Sequence, residues 1–143
     1  MTSNIVCSGA LFYAKNSKRF LFVLRNQGRT AGTWGIVGGR QEESDVSTYE
    51  SLKREIIEEV GELPQIRKVI PLELFTSNDD KFSYHTYLLI IDEEFIPKLN
   101  HEHTGYAWCK MSTSPKPLHQ GLKNTLNNKT IKEKLQTVLD ILA

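Results

Sequence analysis

The sequence predicts a mixed β-sheet covered by helices, an α/β or α+β sandwich, and three observations carry that prediction. Two apolar runs near the N-terminus have strand character, a helix with both ends marked stands in the middle, and further strands precede an amphipathic C-terminal helix. A chain of 143 residues is the size of one domain and can bury a core without disulfides or a structural metal. Residues 1–143 read as a single domain, because no repeat, low-complexity tract or long linker divides them.

The first two strands are IVCSGALFYA and FLFVLR, rich in β-branched and aromatic residues and separated by the turn-like KNSKR. QGRTAGTWGIVGGR follows with five glycines in fourteen residues, which suits a loop whose backbone approaches something closely, interrupted by the short strand WGIV. Ser47 with Glu50 three residues later forms a capping box, and Gly61 with Pro64 behind it is a stop signal, so a helix is predicted over about Thr48 to Val60. RKVIPLELFTS and FSYHTYLLII around NDDK predict a hairpin, and YAWCKM one more strand. PLHQGLKNTLNN and TIKEKLQTVLDILA predict two helices. The second opens on a capping box from Thr130 to Glu133 and places Ile131, Leu135, Val138, Leu139 and Leu142 on one stripe.

A net charge of +1 excludes general affinity for nucleic acid or anionic membrane, since both need a basic excess. Cys7 and Cys109 belong to no CxxC pair, so reduced thiols in a cytoplasmic setting are expected instead of zinc or a disulfide framework. The N-terminus lacks the basic flank and long apolar run of a signal peptide, and no segment approaches the roughly 18 apolar residues of a membrane span.

The predicted middle helix is chemically unusual. Glu55, Glu58, Glu59 and Glu62 stand at i, i+3, i+4 and i+7 and share an arc of roughly 100°. The apolar stripe of Tyr49, Leu52, Ile56 and Val60 is centred only about 100° away, so the acids border the core. Like charges so placed repel and need compensation. Arg54, Lys53 and neighbouring lysines could supply it on a solvated surface; a divalent cation, facing the glycine-rich turn, could supply it in a site for metal and phosphate.

The segment from Gly39 to Glu62, GRQEESDVSTYESLKREIIEEVGE, resembles the signature of the Nudix hydrolases: a glycine, five residues, a glutamate, seven residues, Arg-Glu, an aliphatic, any residue, Glu-Glu, any residue, glycine and an aliphatic. Arg54, Glu55, Ile56, Glu58, Glu59 and Gly61 match, with Gly38 and Gly39 in front. Two departures stand out. Asp45 occupies the place of the first glutamate with eight residues, not seven, before Arg54; Glu62 takes the place of the final aliphatic, with Leu63 one step late and expected to reach inward.

The resemblance implies an α/β/α sandwich with a mixed β-sheet flanked by helices. It further implies a Mg2+ requirement, with Mn2+ allowed, and a small nucleotide as partner. The expected reaction is hydrolysis of the diphosphate linkage of a nucleoside diphosphate joined to another moiety, such as a nucleotide sugar, a dinucleotide or a nucleoside triphosphate. Glu58 and Glu59 are then the main metal ligands, Glu55 a third ligand or the base, Arg54 their brace, and the Gly38 carbonyl a main-chain ligand. Glu102, in HEHTGYAW, resembles the family's distal glutamate. His101 and His103 flank it as polar loop histidines, an HxH too weak to indicate zinc. Trp34 and Tyr106 could each stack on a nucleobase, and Arg25 could reach phosphate. The competing readings are a Nudix-like nucleotide-binding or regulatory module without turnover, and an acidic surface for a basic partner. A homodimer is allowed by the sequence.

Overall fold

The apolar runs become strands. The computed structural model describes residues 4–143. In chain order they form β1 (Ile5–Ala14), β2 (Arg19–Arg25), β3 (Trp34–Gly35), β4 (Val37–Arg40), α1 (Thr48–Val60), β5 (Lys68–Thr76), β6 (Phe82–Ile91), β7 (His103–Cys109), α2 (Gln120–Asn127) and α3 (Lys129–Leu142). The sheet runs β3-β2-β1-β6-β5, with β4 also paired to β1 and β7 to β2. β6 lies parallel to β1 and every other pairing is antiparallel, which makes the sheet mixed. Along its other edge β1 pairs first with β4, over Cys7–Ala10, and then with β2, at Tyr13 and Ala14. This change of partner leaves β4 and its glycines at a fork in the sheet.

Strand alternation splits the apolar residues between two cores. Leu11, Phe20, Phe22, Leu88 and Ile90 meet Leu122 and Leu126 of α2 and Ile131 and Leu135 of α3 on one face. Ala10, Phe12, Leu21, Val23, Leu89 and Ile91 meet Leu52, Ile56 and Val60 of α1 on the other. Helices on both faces of a mixed sheet are the predicted sandwich. Leu52 and Ile56 are fully buried, and each contributes on the order of 2 kcal/mol of transfer free energy.

The middle helix begins and ends as its sequence predicts. Ser47 Oγ accepts from the Glu50 amide at 3.1 Å, and Gly61 closes the helix in the left-handed region at φ 90°, where its N–H donates to the Ile57 carbonyl. Other boundaries differ from expectation. WGIV is two strands broken at Ile36, because its first half pairs with β2 and its second with β1. The predicted box at Thr130 does not start α3. Asn128 caps that helix two residues earlier, its Oδ1 accepting from the Ile131 amide at 3.2 Å. Leu63 is 40 % exposed and does not reach inward. Pro71 sits in β5, an edge strand, beside a register shift, where a missing amide is tolerated.

β7 begins three residues before the predicted strand and takes in His103, Thr104 and Gly105. Leu24 pairs with Gly105 but Arg25 pairs with His103, so one extra β7 residue is accommodated in a bulge. The bulge resets the alternation at the residue that follows Glu102. Among the described residues no helix is long and apolar enough to cross a membrane, and Cys7 and Cys109 are free thiols.

Candidate functional site

The acids of α1 divide into two neighbourhoods. The outer one is organised by Arg54. Its guanidinium donates to Asp45 from Nε (3.1 Å) and Nη2 (3.0 Å), to Glu55 Oε1 from Nη1 (3.0 Å), to Glu58 from Nη1 (3.2 Å) and to the Arg40 carbonyl from Nη2 (3.2 Å). The two parallel bonds to Asp45 use the planar fork that only arginine offers. They and the Glu42 amide hold the Asp45 carboxyl down, to about 2. Glu58 remains half exposed, and Glu62 points to solvent.

Asp45 is therefore the residue that meets Arg54 where the signature has a glutamate. The shorter side chain and the extra intervening residue offset each other: the loop from Glu42 to Asp45 turns back on itself and brings the carboxylate to the guanidinium.

The inner neighbourhood is dry. Glu59 is 1 % exposed; the Gly38 amide approaches its Oε1 at 3.5 Å, and Oε2 has no hydrogen-bond partner. Burial, and then the facing Glu55 carboxylate, push the Glu59 pKa well up, so the metal-free protein carries a proton there at neutral pH. Burial raises Glu55 as well. Gly39 is the residue that admits this arrangement: a Cβ there would stand 2.5 to 2.7 Å from the carboxylate atoms of Glu55. At Gly38 a Cβ would stand 2.1 Å from the Ser8 carbonyl oxygen. Both glycines are needed for close approach, as the sequence suggested.

β7 completes the corner. Asn100 Oδ1 accepts from the Glu102 amide at 3.0 Å, and the Glu102 carbonyl accepts from the Asn26 amide at 2.9 Å, which fixes the turn before the strand. His103, which the sequence suggested to be a polar loop histidine, is instead a buried strand residue whose Nδ1 lies 3.7 Å from Glu59 Oε1. Neither ring nitrogen has a hydrogen-bond partner, and burial lowers its pKa. His101 is exposed, so the HxH pair is split between solvent and interior. Donor atoms of Glu59, Glu102 and His103 lie within 4.8 Å of one another. An unpaired buried polar group costs about 1–3 kcal/mol, and three such atoms, on Glu59 and His103, stand in this one corner. The carboxylate oxygens gathered here suit a hard divalent cation, which Glu59, Glu55 and Glu102 could hold.

The candidate recognition residues are dispersed. Trp34 pairs with Leu24 and Tyr106 with Val23, consecutive residues of β2, so the two rings lie on opposite faces of the sheet and cannot sandwich one base. Arg25 donates from Nε to Thr30 Oγ1 at 2.6 Å and stands beside His103 in register. The sequence did not single out Asn100 or the burial of His103; a bulge leaves no period-two signature to find them by.

The fold and this corner have counterparts. The NUDIX domain family pattern matches residues 6–128. The MutT NUDIX hydrolase from Burkholderia pseudomallei superposes with a TM-score of 0.70 at 22 % identity, covering 85 % of this chain and 95 % of that one. The NUDIX domain of Shewanella oneidensis NrtR, solved with ADP ribose, gives 0.72 at 16 % identity over 94 % and 90 %. A bifunctional NMN adenylyltransferase/ADP ribose pyrophosphatase from Francisella tularensis, solved with AMP and Mn ion, gives 0.61 at 18 % over 100 % of this chain and 43 % of that one. No curated protein sequence matches. Because that family pattern spans residues 6–128, most of the chain, and takes in the signature helix and the glycines in front of it, the chain belongs to the NUDIX domain family, the Nudix hydrolases.

Proposed function

We propose that the protein is a divalent-metal-dependent pyrophosphohydrolase that cleaves the diphosphate linkage of a small nucleoside diphosphate derivative, as one domain and in the cytoplasm. The observation that carries this reading is the buried Glu59 with its unpartnered Oε2 beside Glu55, Glu102 and the Gly38 amide. Glu59, Glu55 and Glu102 would hold Mg2+ or Mn2+, with Glu58 a further carboxylate at the open side and the Gly38 carbonyl a main-chain ligand. When bound, such an ion supplies charge neutralisation on the diphosphate and lowers the pKa of water for attack on phosphorus.

The chain's own residues divide the remaining work. Arg54 orients Glu55 and Glu58 by direct donation to both carboxylates. Burial and the facing carboxylate favour the protonated form of the Glu55–Glu59 pair in the metal-free protein, a proton that bound positive charge would displace. That leaves Glu55 as the candidate to accept the proton of the attacking water. Arg25 can meet a phosphate that extends past β2, and Trp34 or Tyr106, but not both, can stack on one base.

The test is product release from a panel of nucleoside triphosphates, nucleotide sugars and dinucleotides with Mg2+ or Mn2+. Turnover of at least one class is expected. A folded, metal-loaded wild type that is inert on every class while calorimetry reports tight nucleotide binding would replace this reading with that of a regulatory binding module.

A further inference from the structure

The corner beside Glu59 contains a nitrogen donor that the hydrolase reading leaves without a task. His103 is 5 % exposed, both its ring nitrogens are unpartnered, and Nδ1 faces Glu59 Oε1 at 3.7 Å. The β7 bulge puts it there, and the Asn100 turn fixes Glu102 next to it. Glu59, Glu102 and His103 thus offer two oxygens and one nitrogen within 4.8 Å of one another. Ligands about 2.1 Å from a single ion stand roughly 3 Å apart in cis and 4.2 Å in trans, so these donors need only small side-chain movements to share one ion.

We propose that His103 is the nitrogen ligand of a divalent transition-metal ion held together with Glu59 and Glu102. The mixed donor set makes this corner selective for Mn2+ or a later first-row ion over Mg2+. Magnesium takes hard oxygen donors and gains little from imidazole, whereas affinity for nitrogen rises along the first transition row. His101 does not join the set, being exposed. The inference rests on the metal-dependent reading of the site and adds to it a ligand and a preference.

Pulsed EPR of the wild-type protein loaded with Mn2+ alone tests it directly. Modulation from a directly bound 14N is expected, and His103→Phe, similar in volume and without polar atoms, should remove it. Calorimetry should show Mn2+ affinity falling at least about tenfold in His103→Phe while Mg2+ affinity changes less than about twofold. Tight Mn2+ binding by wild type without 14N modulation overturns the role of His103 and leaves the hydrolase reading intact. Failure of wild type to bind either ion overturns both. Because the spectrum is read on wild type, the outcome does not depend on how well the variant folds.

Discussion

Two groups of charged side chains lie within two turns of α1 and could hardly differ more. Around Arg54 every carboxylate meets a donor, and Asp45 meets two. Around Glu59, an acid and an imidazole face each other unpaired in the interior. One helix thus carries a satisfied network and an unsatisfied one side by side. A satisfied network holds geometry, while an unsatisfied buried one awaits a ligand, because the fold has taken on a desolvation cost without compensation.

The largest expected effect breaks the unsatisfied side. Glu59→Gln should reduce kcat at least about a hundredfold without lowering the melting temperature of the metal-free protein, since it removes a buried ionisable group. Steady-state kinetics beside calorimetry checks both halves; unchanged turnover would take Glu59 out of the site. Glu62→Gln, on the same stripe but exposed, should change neither.

On the satisfied side the order reverses. Arg54→Met and Asp45→Ala should each lower the melting temperature by roughly 3 to 5 °C, a typical single-site loss for a domain of this size. The double variant should lose little more than either one, because both break the same pair. Strict additivity in thermal unfolding would mean that the bracket contributes nothing as a unit.

A pH series sharpens the contrast. Between about pH 5 and the raised value of Glu59, the folded metal-free protein keeps a proton that the unfolded chain has released, so stability should fall as pH rises through this window. Asp45 acts in the opposite sense: its contribution is present above the ordinary carboxyl range and is lost as pH falls toward about 2. Buried His103 and half-buried His119 oppose this trend below the ordinary histidine range, so melting temperatures of the metal-free wild type should decline from about pH 7 to about pH 8, where both imidazoles are neutral folded or unfolded, and Glu59→Gln should flatten the decline. A rise over that interval would contradict the buried protonated state.

The smallest effect concerns recognition. With Trp34 and Tyr106 on opposite faces, their substitution by leucine should act independently on KM, the double variant matching the product of the singles within about twofold. Coupling beyond that would require the two rings to touch one base.

Legibility followed the range of the interaction. The ends of α1 were readable at Ser47, Glu50 and Gly61 because caps are made by neighbours in sequence. Arg54 with Glu55, Glu58 and Glu59 was readable as a phase on one helix, and Gly38 and Gly39 as backbone needing room. The fate of Asp45 was not, since a one-residue change of spacing is absorbed by how the loop folds back. Thr130 misled, because Asn128 offers an equally good cap two residues upstream.

Periodicity and local hydrogen bonding were enough for the sandwich class, the bounds of the acidic helix and the phase that puts its carboxylates on one stripe. Tertiary structure decided which of four similar glutamates is buried, which histidine of an HxH pair turns inward, and that Trp34 and Tyr106 are separated. Those outcomes depend on strand pairing between segments up to about ninety residues apart, in which a bulge between β2 and β7 redirects a side chain that no local pattern marks.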